Sequence, residues 1–127
     1  MLRFRTMLDL QPRLKLWIEA DGRLVMSDYR VRLLELVAET GSLAKAASAM
    51  KLSYRRAWGK VKEIEANLGI PLVQSEAGGA GGGHTALTPE AQALVRAYRR
   101  FQERMTADVR TVFEEEFTDV AEGGREE

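Results

Sequence analysis

The stretch Gly41–Leu68, GSLAKAASAMKLSYRRAWGKVKEIEANL, decides the fold. It predicts two short helices joined by a tight turn. Ser42 is placed to cap the first, because a hydroxyl at that position accepts from the free N–H groups of the first turn. Leu43, Ala46, Ala47 and Met50 then share one helical face. The small Ala46 and Ala47 let a second helix cross closely. Lys51-Leu52 makes the turn and Ser53 caps the second helix. Ala57, Val61, Ile64 and Leu68 form its inner stripe. Tyr54, Arg55, Arg56, Trp58, Lys60 and Lys62 lie outside that stripe. This is the layout of a helix-turn-helix whose second helix enters the major groove of DNA by its first residues.

Elements on either side agree with a small DNA-binding fold. Arg13–Met26 predicts a hairpin turning at Asp21-Gly22, a favoured two-residue turn. Ser27 or Asp28 caps a helix over Tyr29–Thr40, and Gly41 ends it. Residues 1–12 are open between an arm and a short helix. After Gly69, Pro71–Gln74 reads as a short strand. SEAGGAGGGHT (75–85) holds five glycines, and Ala86–Thr88 returns as a second strand, making a wing. Thr88-Pro89-Glu90 starts a long helix with a cap and a proline at the first position. Ala91, Leu94, Tyr98, Phe101, Met105 and Val112 alternate by threes and fours until Asp108 interrupts them. The stripe suits a helix–helix seam through Leu94, Tyr98, Phe101 and Met105; the other reading is intramolecular core. The expected architecture is mainly α: a winged helix-turn-helix with an N-terminal β-hairpin and a long C-terminal dimerisation helix. Its segments would be 1–26 (arm and hairpin), 27–88 (winged helix-turn-helix), 89–120 (dimerisation helix) and 121–127 (acidic disordered tail).

Composition narrows the function. The chain has 127 residues, no cysteine and a single histidine, so thiolate and histidine-cluster metal sites are excluded and no cofactor is expected. No apolar run approaches the ~20 residues of a membrane span, and the start is no convincing signal peptide; a cytoplasmic protein with no membrane partner is expected. Formal net charge is zero, but it is segregated. Arg30–Lys62 holds eight Lys/Arg against two acids, and Glu114–Glu127 holds seven acids against Arg125. A basic block over the helix-turn-helix is what steers a protein onto a polyanion.

Arg55 and Arg56 are the leading candidates for guanine or phosphate contacts, since guanidinium pairs bidentately with either. Tyr54, Trp58 and Lys60 would support them, with Trp58 open between DNA contact and packing against the wing or a neighbouring helix. Ser53 caps this helix at the DNA. Ser42, at a helix start, could hold a phosphate through hydroxyl and backbone N–H, with Lys45 beside it. Gly82, Gly83 and His84 are the wing candidates. The glycine run lacks the GxxxxGK[ST] pattern of a phosphate loop. No nucleophile, base and orienting group come together, so no catalytic residue and no enzyme activity is expected. The rival reading is a protein-interaction adaptor that has lost DNA binding.

GSLAKAASAMKLSYRRAW followed by LGIPLVQSEAGGAGGGHTALTPEAQALVRAY resembles the DNA-binding domain of the ModE family of molybdate-responsive transcription regulators, over about residues 25–105. LysR-type regulators share the first helix and the LGxPL step, but not SYRRAW or the glycine wing. The resemblance implies a homodimer paired through the long terminal helices, double-stranded DNA with a palindromic operator as partner, and control of molybdate-uptake or molybdenum-cofactor genes. ModE proteins continue into small β-barrel domains that bind molybdate. No segment of these 127 residues corresponds to them, so molybdate binding by this chain is not expected. Family wings carry basic residues where this one has Ala80 and Ala86, leaving His84 as its potential cation.

Overall fold

Ser27, Ser42 and Ser53 each accept a backbone N–H three residues on, and so start the three helices of the central unit. The computed structural model describes residues 2–3, 9–76 and 84–126, with side chains over 9–76 and 84–120. In chain order the elements are β1 (Leu2–Arg3), β2 (Asp9–Leu10), β3 (Trp17–Ala20), β4 (Arg23–Ser27), α1 (Asp28–Thr40), α2 (Leu43–Ala49), α3 (Tyr54–Leu68), β5 (Val73–Glu76), β6 (His84–Leu87) and α4 (Pro89–Glu126). Three antiparallel two-stranded ladders result: β1 with β2, β3 with β4, and β5 with β6. The fold is the expected one, a mainly helical winged helix-turn-helix with a hairpin before it. The β3–β4 turn is the anticipated Asp21-Gly22, both at positive φ as a mirror-image turn demands.

One compact unit spans Leu16–Arg99; Met1–Lys15 and Arg100–Glu127 make another. The boundary expected between residues 26 and 27 is therefore not a boundary of packing. Val25 and Met26 of β4 lie in the same buried core as Leu33, Leu34, Val37, Ala46, Ala47, Ala57, Val61, Ile64 and Leu72. Polar ties fasten the hairpin as well. Arg30 Nη1 and Asn67 Nδ2 both donate to the Leu24 carbonyl, at 3.0 and 2.9 Å.

The first turns of α4 also belong to this core, which corrects the seam. Tyr98 is 1% exposed, and its hydroxyl donates to the Leu16 carbonyl at 2.7 Å. Burial, with the Asp28 charge adding, raises its pKa and keeps the donor protonated. Leu94 is half-buried against the same core. The three-four stripe is real, but its first part faces the protomer's own interior. A second correction concerns the tail. Helical backbone continues to Glu126, where residues 121–127 were expected to be disordered; no proline interrupts the hydrogen-bond ladder there. In the N-terminal segment, Leu2 pairs with Leu10 and Arg3 with Asp9, so the arm closes into a small ladder.

Arg99 ties α4 to α1. Its Nε and Nη2 meet the two Glu35 oxygens at 3.0 and 2.8 Å, and Nη1 meets Asp28 at 2.7 Å. Hydrogen bonds from Arg99 hold the Glu35 carboxyl below its ordinary 4.5, against the opposing push of burial. The Glu65 carboxyl is also lowered: burial pushes it up, but N–H donors from Leu72 and Val73 and the Lys62 ammonium outweigh that. A depressed carboxylate stabilises the fold in full above its ordinary pKa and loses that contribution as pH falls through the lower, folded value. Stability should thus decline below about pH 4.5. Arg99→Met should lower stability near neutrality and flatten the acid decline, because Glu35 returns toward its ordinary pKa. Thermal unfolding of both chains from pH 3 to 7 checks this.

Candidate nucleic-acid interface

The turn between α2 and α3 is short and tightly bonded. Lys51 takes φ +58°, and the Leu52 N–H donates to the Ala47 carbonyl at 2.9 Å. Ala46, Ala47 and Ala57 are buried where the two helices cross; a larger side chain would hold the axes apart. Ala57, Val61 and Ile64 turn the inner face of α3 into the core. The opposite face is therefore presented to solvent. Tyr54 is 56% and Trp58 41% exposed, and Arg55 and Arg56 are exposed beside them. The Ser53 hydroxyl accepts the Arg56 N–H at 3.1 Å. A Cβ at Gly59 would meet nothing within 4 Å, so the surface beside Trp58 is low and open.

The eight basic residues counted from sequence divide into two groups. Arg30 is buried, donating to Leu24 and pairing with Glu63 at 2.9 Å. Arg32 lies 3.4 Å from Glu39, and Lys62 lies 3.0 Å from Glu65. These three are already matched within the fold. Lys45, Lys51, Arg55, Arg56 and Lys60 form no ion pair with the described residues. Lys60 is half-buried, with its ammonium 5.2 Å from the centre of the Tyr29 ring. Exposed Tyr29 is the residue sequence reasoning missed here. Its signal, an aromatic at the start of α1, acquires meaning only from the neighbouring α3.

Ser42 differs from expectation in one respect. Its hydroxyl accepts the Lys45 N–H at 3.1 Å as foreseen, but its own N–H donates to Thr40 Oγ1 at 3.2 Å. It therefore offers a hydroxyl hydrogen to a phosphate, but not the backbone N–H. On the wing, His84 opens β6 rather than lying in a loop. Its imidazole packs on Gly41, and the next N–H, of Thr85, donates to the Gly41 carbonyl at 2.9 Å. The wing is thereby docked at the α1–α2 junction. At its other end Thr88 Oγ1 donates to Pro71 and the Thr88 N–H to Leu72, both at 2.9 Å. Gly82 and Gly83 lie outside the described residues.

The family model for bacterial regulatory helix-turn-helix proteins of the LysR family matches residues 29–92, half of the chain. The chain belongs to this family. The stretch matched runs from Tyr29 through the wing into the first turn of α4, and contains every candidate contact named above. Among curated relatives, the molybdenum transport protein ModE of Azotobacter vinelandii is 36% identical over 85 residues, covering 67% of this chain and 32% of the relative. The molybdenum-pterin-binding protein MopB of Rhodobacter capsulatus is 40% identical over 73 residues, 58% of this chain and 27% of its own. The DNA-binding transcriptional dual regulator ModE of Escherichia coli K12 is 30% identical over 89 residues, 70% and 34%. The chain spans about a third of the length of these relatives. Among solved structures, the CbnR DNA-binding domain in complex with DNA matches with TM-score 0.50 and 25% identity, covering 65% of this chain and 90% of that one. CbnR itself, a LysR family transcriptional regulator, matches with TM-score 0.51 and 25% identity over 65% of this chain and 27% of that one.

The family's layout says little about catalysis or metals. Among the described residues, no three His, Cys, Asp or Glu side chains are placed to hold a metal ion, and no helix is long and apolar enough to cross a membrane. Glu65 was overlooked by sequence reasoning. Its Oε2 accepts the Leu72 N–H at 2.7 Å while its Oε1 holds Lys62, so it joins the end of α3 to the chain entering the wing.

Proposed function

We propose that this chain is a homodimeric, DNA-binding transcription regulator that seats the start of α3 in the major groove of a palindromic operator. The observation that carries the reading is the set of cations with no ion pair among the described residues, Lys45, Lys51, Arg55, Arg56 and Lys60, clustered with exposed aromatics on the α2–α3 unit of a helix-turn-helix. Charges already neutralised inside the fold gain nothing from a phosphate; these five do. The link to molybdate transport or molybdenum-cofactor genes rests on the names of the curated relatives. Pairing through α4 rests on Phe101, Val112 and Val120, which are exposed although apolar. A palindromic operator requires two recognition helices about one turn of DNA apart, which is why a two-fold pair belongs to this reading.

Selection of bound duplexes from a random pool, followed by fluorescence anisotropy on the winning sequence, tests this. Affinity should fall steeply with salt, with a log–log slope of about −0.9 for each phosphate neutralised. Arg55→Ala and Arg56→Ala should leave thermal stability unchanged and cost about 1–3 kcal/mol of specific binding where the arginine reads a base. A phosphate-contacting arginine should instead reduce the salt slope by about 1. A chain that enriches no sequence and binds duplex without salt dependence would be a protein-interaction module.

A further inference from the structure

Trp58 is a large apolar side chain displayed on the outer face of α3, and a chain of contacts leads to it. The Lys62 ammonium sits 4.4 Å from the centre of its ring. Lys62 is itself held by Glu65 Oε1 at 3.0 Å. Glu65 in turn is anchored through Oε2 by the Leu72 N–H at 2.7 Å. The chain of contacts thus runs from the backbone leading into the wing, through a carboxylate and an ammonium, to the indole. Lys62 thus stays half-exposed while its ammonium lies against the aromatic ring. Exposed aromatics pre-ordered in this way are typical of binding anchors, because little conformational freedom is left to lose on contact.

Direction adds to this. Side chains on a helix lean toward its N-terminus, which directs the indole toward the end of α3 whose Arg55 and Arg56 form no ion pair with the described residues. Gly59 beside it leaves the approach open. An indole edge has one hydrogen-bond donor and is otherwise apolar. Among the described residues, no protein acceptor meets its Nε1. In the major groove the one apolar feature on a base edge is the thymine 5-methyl group.

Resting on the DNA-binding reading above, we infer that Trp58 is a specificity-determining residue that packs on the 5-methyl group of a thymine in each operator half-site. Arg55 and Arg56 supply the polar contacts, and Trp58 excludes water from the methyl.

Deoxyuridine, which lacks only that methyl, tests the inference without changing the protein. The duplex selected by the full chain should carry a thymine at a fixed position in each half-site. Replacing it with deoxyuridine should weaken wild-type binding about fourfold per half-site, the worth of one buried carbon group. Trp58→Ala should bind the thymine duplex more weakly than the wild type and should no longer distinguish it from the uracil duplex. Trp58→Phe should keep part of the discrimination. Equal wild-type affinity for both duplexes at every thymine overturns the inference, as does discrimination that survives in Trp58→Ala. Both results leave the DNA-binding reading standing, whereas failure to enrich any sequence overturns the two together.

Discussion

Phe101→Glu combined with Val112→Glu is expected to give a folded but monomeric chain, with affinity for a two-half-site operator lowered about 10²–10⁴-fold. Both residues sit on one face of α4, eleven positions or three helical turns apart. They are 42% and 52% exposed, and neither belongs to the protomer's buried core. Met105 and Val109 fall between them on the same face and are half-buried. Apolar side chains repeated along an otherwise charged helix are covered at low cost by a second copy. Four carboxylates facing one another across a two-fold seam would repel and would need to be desolvated. The loss of operator affinity would come from lost avidity, since no proposed DNA contact changes; affinity for a single half-site should stay near that of the parent. Sedimentation equilibrium at micromolar concentration, with anisotropy on whole and half operators, checks both parts. A parent chain already monomeric under these conditions would assign the stripe to another cover.

Gly41→Val is expected to lose about 3 kcal/mol of stability or more, from two separate causes. Gly41 takes φ +69° as the C-cap of α1, with its N–H on the Val37 carbonyl at 2.8 Å. A side chain at that φ costs about 1–2 kcal/mol, and β-branching makes it worse. Any Cβ there also runs into the His84 imidazole, and overpacking at a buried site adds about 1–3 kcal/mol. Relief of the clash pushes His84 away and weakens the Thr85-to-Gly41 hydrogen bond, so the wing should loosen as well. Pairing Gly41→Ala with His84→Ala separates the causes. Removal of the imidazole should recover the packing share but leave the backbone strain. Urea denaturation of the single and double variants measures it, with hydrogen exchange at Thr85 reporting on the wing.

The helices and turns were legible because their signals are local. Ser27, Ser42 and Ser53 cap through a bond three residues long, Gly41 and Gly69 end helices by their own φ, and Asp21-Gly22 closes a two-residue turn. Each needs only a short piece of chain, so the order hairpin, helix-turn-helix, wing and long helix follows from the residues themselves. The inner stripe Ala57, Val61 and Ile64 likewise implies that Arg55 and Arg56 face outward.

Other features depended on partners far apart in the chain. Arg30 and Arg55 look alike in sequence, yet one is buried against Glu63, 33 positions away, and the other forms no ion pair with the described residues. A basic run reveals how many charges are present, not which are already neutralised. The stripe on α4 has the same character. Periodicity marks a face as apolar but cannot say what covers it, and only packing against Leu16, 82 positions earlier, assigned Tyr98 to the protomer's core. The bracing of Trp58 through Lys62 and Glu65 ends at the Leu72 N–H, a backbone group with no signature of its own in sequence. Local hydrogen bonding and side-chain period determined the elements and their outward faces. Long-range contact, which sequence spacing does not encode, decided which of those faces and charges remain available to a partner.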